Sequence, residues 1–137
     1  MIFKEIHKNL FEMDDKYYLV HCIAKDARMG AGIAVDFVKK FSYLTQLRKM
    51  DLEVGTCVKL RRVFNLITKS KSTGKPTHDS LYKALNECKE ICVEDEIKYL
   101  AMPKIGCGLD RLQWSLVREN IKGIFDDTDI EIIVCVK

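Results

Sequence analysis

The sequence predicts an α/β fold of three layers, with helices on both faces of a mixed central sheet. Three observations carry this. Apolar runs of strand length interleave with segments whose apolar residues recur at helical spacing. Two of those runs, 17–24 (YYLVHCIA) and 130–136 (IEIIVCV), are apolar almost throughout, as strands buried on both faces of a sheet are. The third is a plausible hairpin: strands at 56–60 and 63–68 are separated only by Arg61 and Arg62, so the sheet is not all parallel.

In chain order, a short strand is expected at 2–6 and a stronger one at 17–24. MGAGIAVDFVKKF then opens with two glycines and places Ile33, Phe37, Val38 and Phe41 at helical spacing. Residues 42–50 read as a second short helix, before the hairpin strands. KSKSTGKPTHD, with Gly74 and Pro76, is a loop by composition. Thr77 or Asp79 is placed to cap the next helix, whose buried stripe is Leu81, Leu85, Cys88 and Cys92. A strand at 97–102, a glycine-bearing loop, a helix at 112–125 and a central strand at 130–136 complete the chain. With no internal repeat or linker, 137 residues are expected to form one domain, 1–137.

Composition narrows the function classes. The net charge of +3 suits an anionic ligand but falls short of the concentrated basic surface of a dedicated nucleic-acid binder. No run approaches the roughly 20 apolar residues of a membrane helix. Residues 1–10 mix Lys4, Glu5 and Lys8 among apolar residues and lack the apolar core of a signal peptide. The six cysteines fall in strand-like runs or four apart on one helix, which reads as buried free thiols in a reducing compartment. His7, His21 and His78 are scattered, so no metal is expected. A monomer in the cytoplasm or nucleus is the expectation.

Chemistry points to two turns, MGAGIA at 29–34 and IGCGLD at 105–110. Each follows a strand and precedes a helix. Glycine lets backbone approach a ligand closely, and a helix N-terminus offers free N–H groups to phosphate. Ligands in open α/β sheets lie beyond the carboxyl ends of strands, where both turns fall. Two such turns suit a diphosphate, although two tight turns can also exist without a ligand. GAGIAV lacks the third glycine of the dinucleotide fingerprint, and no Gly-Lys-Ser/Thr phosphate loop is present. Standard dehydrogenases and NTPases are disfavoured.

HCIAKDARMGAGIAVDF, LITK followed by KPT, and MPKIGCGLDRLQW together resemble the signature segments of the terminal ADP-ribose protein glycohydrolases, a macrodomain family. The resemblance runs in register from about residue 10 to the C-terminus. It implies a macrodomain fold, ADP-ribose as ligand without a further cofactor, and hydrolysis of the ester joining ADP-ribose to Glu or Asp of modified proteins. O-acyl-ADP-ribose deacylation is implied as a side activity. By motif, Lys69 and Asp110 are the catalytic pair. Asn9 and Leu10 fall in the adenine region, and Ala24 stands where the family relative has serine. Gly30, Ala31, Gly32, Ile33 and Ala34 line the distal ribose, while Lys104, Ile105, Gly106, Cys107, Gly108 and Leu109 lead to Asp110 around the diphosphate and distal ribose. Elementary chemistry agrees, since a neutral lysine amine can attack the anomeric carbon and a carboxylate can move the protons.

Three positions depart from the family pattern. Asn9 replaces an aspartate that accepts a hydrogen bond from the adenine amino group; its carbonyl can still accept, without charge assistance. Ala24 removes a polar contact, and Lys104 replaces an arginine. Taken alone, Lys69 would read as a solvated strand-end charge, Asp110 as a helix N-cap, His21 as a hydrogen-bonded core histidine and Trp114 as core. Two other functions remain open: a non-catalytic reader of ADP-ribose, and a glycohydrolase acting on ADP-ribosylated nucleic acid. The pair Lys69 and Asp110 favours the enzyme over the reader, and the modest charge disfavours nucleic acid.

Overall fold

The computed structural model describes residues 1–137. Its strands are β1 (Ile2–His7), β2 (Tyr18–Ala24), β3 (Thr56–Leu60), β4 (Val63–Lys69), β5 (Tyr99–Met102) and β6 (Glu131–Val136). Its α-helices are α1 (Ile33–Lys40), α2 (His78–Glu94) and α3 (Trp114–Phe125), with 3₁₀ segments at Leu10–Glu12 and Ser42–Lys49.

β4 shows why the interior strands form. Six consecutive residues from Val63 are buried, and they alternate between two cores. Phe64 and Leu66 face a core closed by Leu81, Leu85, Cys88 and Cys92 of α2 and Val117, Ile121 and Phe125 of α3. Val63 and Ile67 face a second core, closed by Phe37 of α1 and by Leu44 and Leu47 of the longer 3₁₀ segment. The period of two along the strand thus builds both inner faces of an α/β/α sandwich.

The sheet order is β1-β6-β5-β2-β4-β3. β3 and β4 form the expected antiparallel hairpin, with Leu60 opposite Val63; the other four pairings are parallel. The carboxyl ends of β1, β6, β5, β2 and β4 therefore meet at one edge of the sheet. β6 lies inside the sheet, between β1 and β5, as its apolar run predicts. β2 pairs with β5 at only two positions, Tyr18 with Leu100 and Leu19 with Ala101. Beyond them the last residues of β2 have no neighbour on that side, which opens a crevice at the carboxyl edge.

Some boundaries differ from expectation for identifiable reasons. Residues 42–49 are 3₁₀ rather than α, and Leu44 and Leu47, three apart, both reach the core. α2 is capped by Thr77, whose hydroxyl accepts from the Ser80 amide while Ser80 returns the bond. β5 starts at Tyr99 because the Ile97 amide donates to Cys92 O (2.8 Å) and closes α2. α3 starts at Trp114 because the Leu112 amide donates to Gly106 O (2.7 Å). Trp114 is half-buried against the core under α2 and α3, as expected, and its Nε1 donates to Glu5 Oε1 at 2.8 Å, which also fastens α3 to β1.

Candidate functional site

A cleft of about 640 Å³ runs along the carboxyl edge of the sheet. Its walls follow the strand order: Lys8 to Phe11 after β1, Cys135 to Lys137 at the end of β6, Pro103 to Asp110 after β5, Cys22 of β2, and Lys69 at the end of β4. Strands lie about 4.8 Å apart, so the span from β1 to β4 is about 19 Å. That is room for an extended ligand with a distinct chemical group at each end.

At the β4 end, Lys69 Nζ donates to Asp110 Oδ1 at 2.6 Å, and the two side chains are 14% and 16% exposed. The loop after β4 is tied on both sides of this pair. Ser72 donates to the Asp26 carboxylate through its amide (2.8 Å) and its hydroxyl (2.6 Å). Burial alone would raise the Asp26 carboxyl, but these bonds and the Arg28 amide hold it below its ordinary value. Across the pair, Lys75 Nζ donates to Leu109 O at 3.1 Å. Asp110 is not the cap of α3, a position held by Gln113 without a side-chain bond. Its carboxylate serves the lysine instead.

Two cysteines enter the cleft beside the pair. Burial, reinforced by the neighbouring Asp110 and Cys107, pushes the Cys22 thiol far above its usual range. Burial also raises Cys107, whose Sγ donates to Ile105 O. Thiolate is the reactive form, so neither cysteine competes as a nucleophile near neutral pH. An amine held by a carboxylate is the chemistry left at this end.

Between the ends lie the glycine turns. Gly32 (φ +62°) precedes α1, and no side chain caps the helix's first-turn amides. Gly106 (φ +74°) turns the chain out of β5, and a Cβ there would meet Leu112 Cδ1 at 2.9 Å. Leu109, 64% exposed, lies across Gly32, so the tip of one turn covers the other.

Of the residues singled out from the sequence, the cleft gathers Asn9, Leu10, Gly32, Ile33, Lys69 and the whole stretch from Lys104 to Asp110. Ala24, Gly30, Ala31 and Ala34 do not line it; Ala24 is buried, and Gly30 and Ala31 face solvent. Sequence reasoning missed Phe11, Cys22, Asp36 and the 135–137 segment as cleft residues. Asp36, on the first turn of α1, had a local signal: it follows the glycine turn by one helical turn. Cys22 and Cys135 had none, because an apolar strand does not announce which of its ends meets a ligand.

Asn9 lies in the cleft, where its Oδ1 also accepts the Phe11 amide at 3.0 Å as the cap of the first 3₁₀ segment. His21 is the core histidine expected, fully buried with Nε2 2.7 Å from Asn65 Oδ1. A larger, more open groove of about 800 Å³ lies by the C-terminal end of α2. It is lined by the ion pairs Lys89–Asp127 and Lys98–Asp129 and offers no comparable pairing of buried amine and carboxylate.

Comparison with known proteins converges on one family. The macro domain family model matches residues 20–121. ADP-ribose glycohydrolase OARD1 of Bos taurus is 44% identical over 130 residues, covering 92% of this chain and 86% of that protein. Among solved structures, the macrodomain of Mycobacterium tuberculosis DarG superposes with a TM-score of 0.91 at 19% identity, over 99% of this chain and 98% of that one. Thermosipho africanus DarTG in complex with ADP-ribose superposes with a TM-score of 0.78 at 19% identity, over 93% of this chain and 39% of that one. The six-stranded mixed sheet with a cleft across its carboxyl edge is the macrodomain fold, and this chain belongs to the macro domain family.

Proposed function

We propose that this protein binds ADP-ribose in the cleft and hydrolyses the ester that joins it to glutamate or aspartate side chains of modified proteins. The Lys69–Asp110 pair, partly screened from solvent at one end of a cleft with two glycine turns, is the observation that carries the reading. The bovine relative's name, an ADP-ribose glycohydrolase, supports it. In this reading the distal ribose sits at Lys69, the diphosphate lies against the turns, and the base occupies the β1 end.

The chemistry needs no further group. Asp110 Oδ1 takes the proton that Lys69 Nζ must shed, across a 2.6 Å contact. The free amine attacks the anomeric carbon as the bond to the substrate carboxylate breaks, and the carboxylate leaves with the bonding pair and with the proton held by Asp110, which is a carboxylate again. Ring opening gives a Schiff base on Lys69. Water, deprotonated by Asp110, adds to it, and collapse returns the amine and free ADP-ribose. O-acyl-ADP-ribose presents a similar ester and is a second substrate in this reading. A module that only reads ADP-ribose has no use for a half-buried lysine–aspartate pair.

The test is to incubate the protein with a Glu-linked mono-ADP-ribosylated substrate and measure free ADP-ribose. Borohydride added to the reacting mixture should fix ADP-ribose on the peptide containing Lys69. Lys69→Ala should lose release while keeping ADP-ribose binding. Full turnover by Lys69→Ala would overturn the covalent route.

A further inference from the structure

Five cations ring the Lys69 end of the cleft without lining it. Lys25 adjoins Lys69 through its own amide, which donates to Lys69 O at 2.8 Å. Arg28 follows three residues on, its amide donating to Asp26 Oδ1 at 3.2 Å. Lys71 precedes the serine that binds Asp26, Lys75 Nζ donates to Leu109 O, and Arg111 follows Asp110. All five are exposed, and none lines the cleft. A ligand lying within the cleft is met by other groups, so these charges are left for what lies outside it.

Their lack of partners sets them apart. Elsewhere exposed cations are matched by acids, as in Lys59–Asp95, Lys89–Asp127, Lys98–Asp129 and Arg118–Glu5. None of the five enters an ion pair. Apart from Asp110, which is held by Lys69, the acid beside them is Asp26. Its carboxylate is taken up by the Ser72 amide and hydroxyl and by the Arg28 amide. Five positive charges against one committed carboxylate leave a local excess of four, more than the whole chain's net +3. Arg48 steadies this rim by donating to Ala27 O (3.1 Å) and Arg28 O (2.8 Å).

In the reaction proposed above, the acceptor protein is the part of the substrate that stays outside the cleft at this end. Esterification has removed the charge of the modified glutamate or aspartate itself. Attraction to the rim therefore has to come from its neighbours in the acceptor chain. We infer that the cations around Lys69 form a docking surface for that chain, selecting modified residues flanked by further aspartates and glutamates. The inference rests on the ester reaction. Nucleic acid is the poorer fit, because segments 25–31, 70–76 and 109–113 carry no aromatic residue on which a base could stack. Point charges spread over three segments suit separate carboxylates, each forming a weak, salt-screened pair.

Two synthetic peptides with the same Glu-linked ADP-ribose test this on the whole protein, one flanked by aspartates and glutamates and one by serines and glycines. In low salt kcat/KM should be about tenfold higher on the acidic peptide, the worth of two exposed ion pairs, and high salt should bring the two together. Lys25→Glu combined with Lys71→Glu should abolish or reverse the preference, and the milder Lys25→Gln with Lys71→Gln should lose most of it. Both double variants should hydrolyse O-acetyl-ADP-ribose, which carries no acceptor chain, at the wild-type rate. Equal kcat/KM on the two peptides, or a preference undiminished in the variants, overturns the inference and leaves the ester chemistry standing. So does a rim-dependent preference for an ADP-ribosylated oligonucleotide over the acidic peptide. Turnover of neither peptide nor O-acetyl-ADP-ribose by the wild type removes the underlying reading, and the inference with it.

Discussion

The two glycine turns look alike in sequence and behave differently in the fold. Each is Gly-x-Gly between a strand and a helix. The turn after β5 supplies an unbroken wall of the cleft, from Pro103 to Asp110. The turn after β2 supplies Gly32, Ile33 and, through its helix, Asp36, while Gly30 and Ala31 point elsewhere. The packing beneath them differs in the same sense. A Cβ on Gly106 would press on Leu112 and on Leu81 of the core, whereas one on Gly32 would meet only the flexible tip of Leu109. Gly30 and Gly108 face open space. A glycine motif therefore marks where backbone bends, and its surroundings decide whether the bend is structural, ligand-facing or neither.

Substitutions at these positions sharpen or break that contrast. Gly108→Glu should have the largest effect. Its side chain has room to enter the cleft, where its charge opposes the diphosphate. A wild-type affinity in the micromolar range, about −8 kcal/mol, should fall below detection while the circular-dichroism spectrum stays native. Retained binding would place the phosphates away from this turn.

Gly106→Ala should come next, as a loss of stability. Left-handed backbone and a contact under 3.0 Å act together, for roughly 3 kcal/mol in urea denaturation. Gly32→Ala has the strained φ but a yielding neighbour, so about 1 kcal/mol is expected. Gly30→Ala should stay within about 0.5 kcal/mol and leave ADP-ribose affinity unaltered. Equal losses at Gly32 and Gly106 would erase the distinction between the turns.

Acid tests the first turn separately, because the helix it launches leans on His21. That ring stacks on Phe37 of α1 with centroids 3.9 Å apart. Asn65 donates through Nδ2 to Val58 O, so its Oδ1 accepts from His21 Nε2 and leaves Nδ1 as a buried acceptor without a partner. Burial lowers the His21 pKa to about 4, and the bond to Asn65 opposes this only in part. The unfolded chain, near 6.5, takes up the proton first. Stability is thus full above about pH 6.5 and falls as the pH drops toward 4, by about 2 kcal/mol at pH 5. Hydrogen exchange at pH 5 should loosen α1 and the turn before it ahead of the 105–110 turn. His21→Gln should flatten the stability profile over that interval.

Much was legible before any coordinates, for local reasons. The strand-length run from Val63 to Thr68 and the three- and four-residue spacing of Leu81, Leu85, Cys88 and Cys92 each record the burial of their own element. Thr77 and the Arg61–Arg62 turn act within a few residues of themselves. Errors of two residues at 97 and 112 arose where the chain's hydrogen bonds leave the element, at Cys92 O and Gly106 O.

Lys69 was identified through resemblance, since periodicity gives no reason to prefer one strand-end lysine over another. What the sequence determined by itself was which residues turn inward, where the chain bends and which chemical groups it carries. What only the tertiary structure decided was their order in space. Lys69 meets Asp110, 41 positions further along the chain, because β4 and β5 flank β2, and Asn9 stands at the opposite end because β1 is an edge strand. Strand order follows from how whole helices cover the two faces of the sheet, a non-local matter that no short window of sequence records.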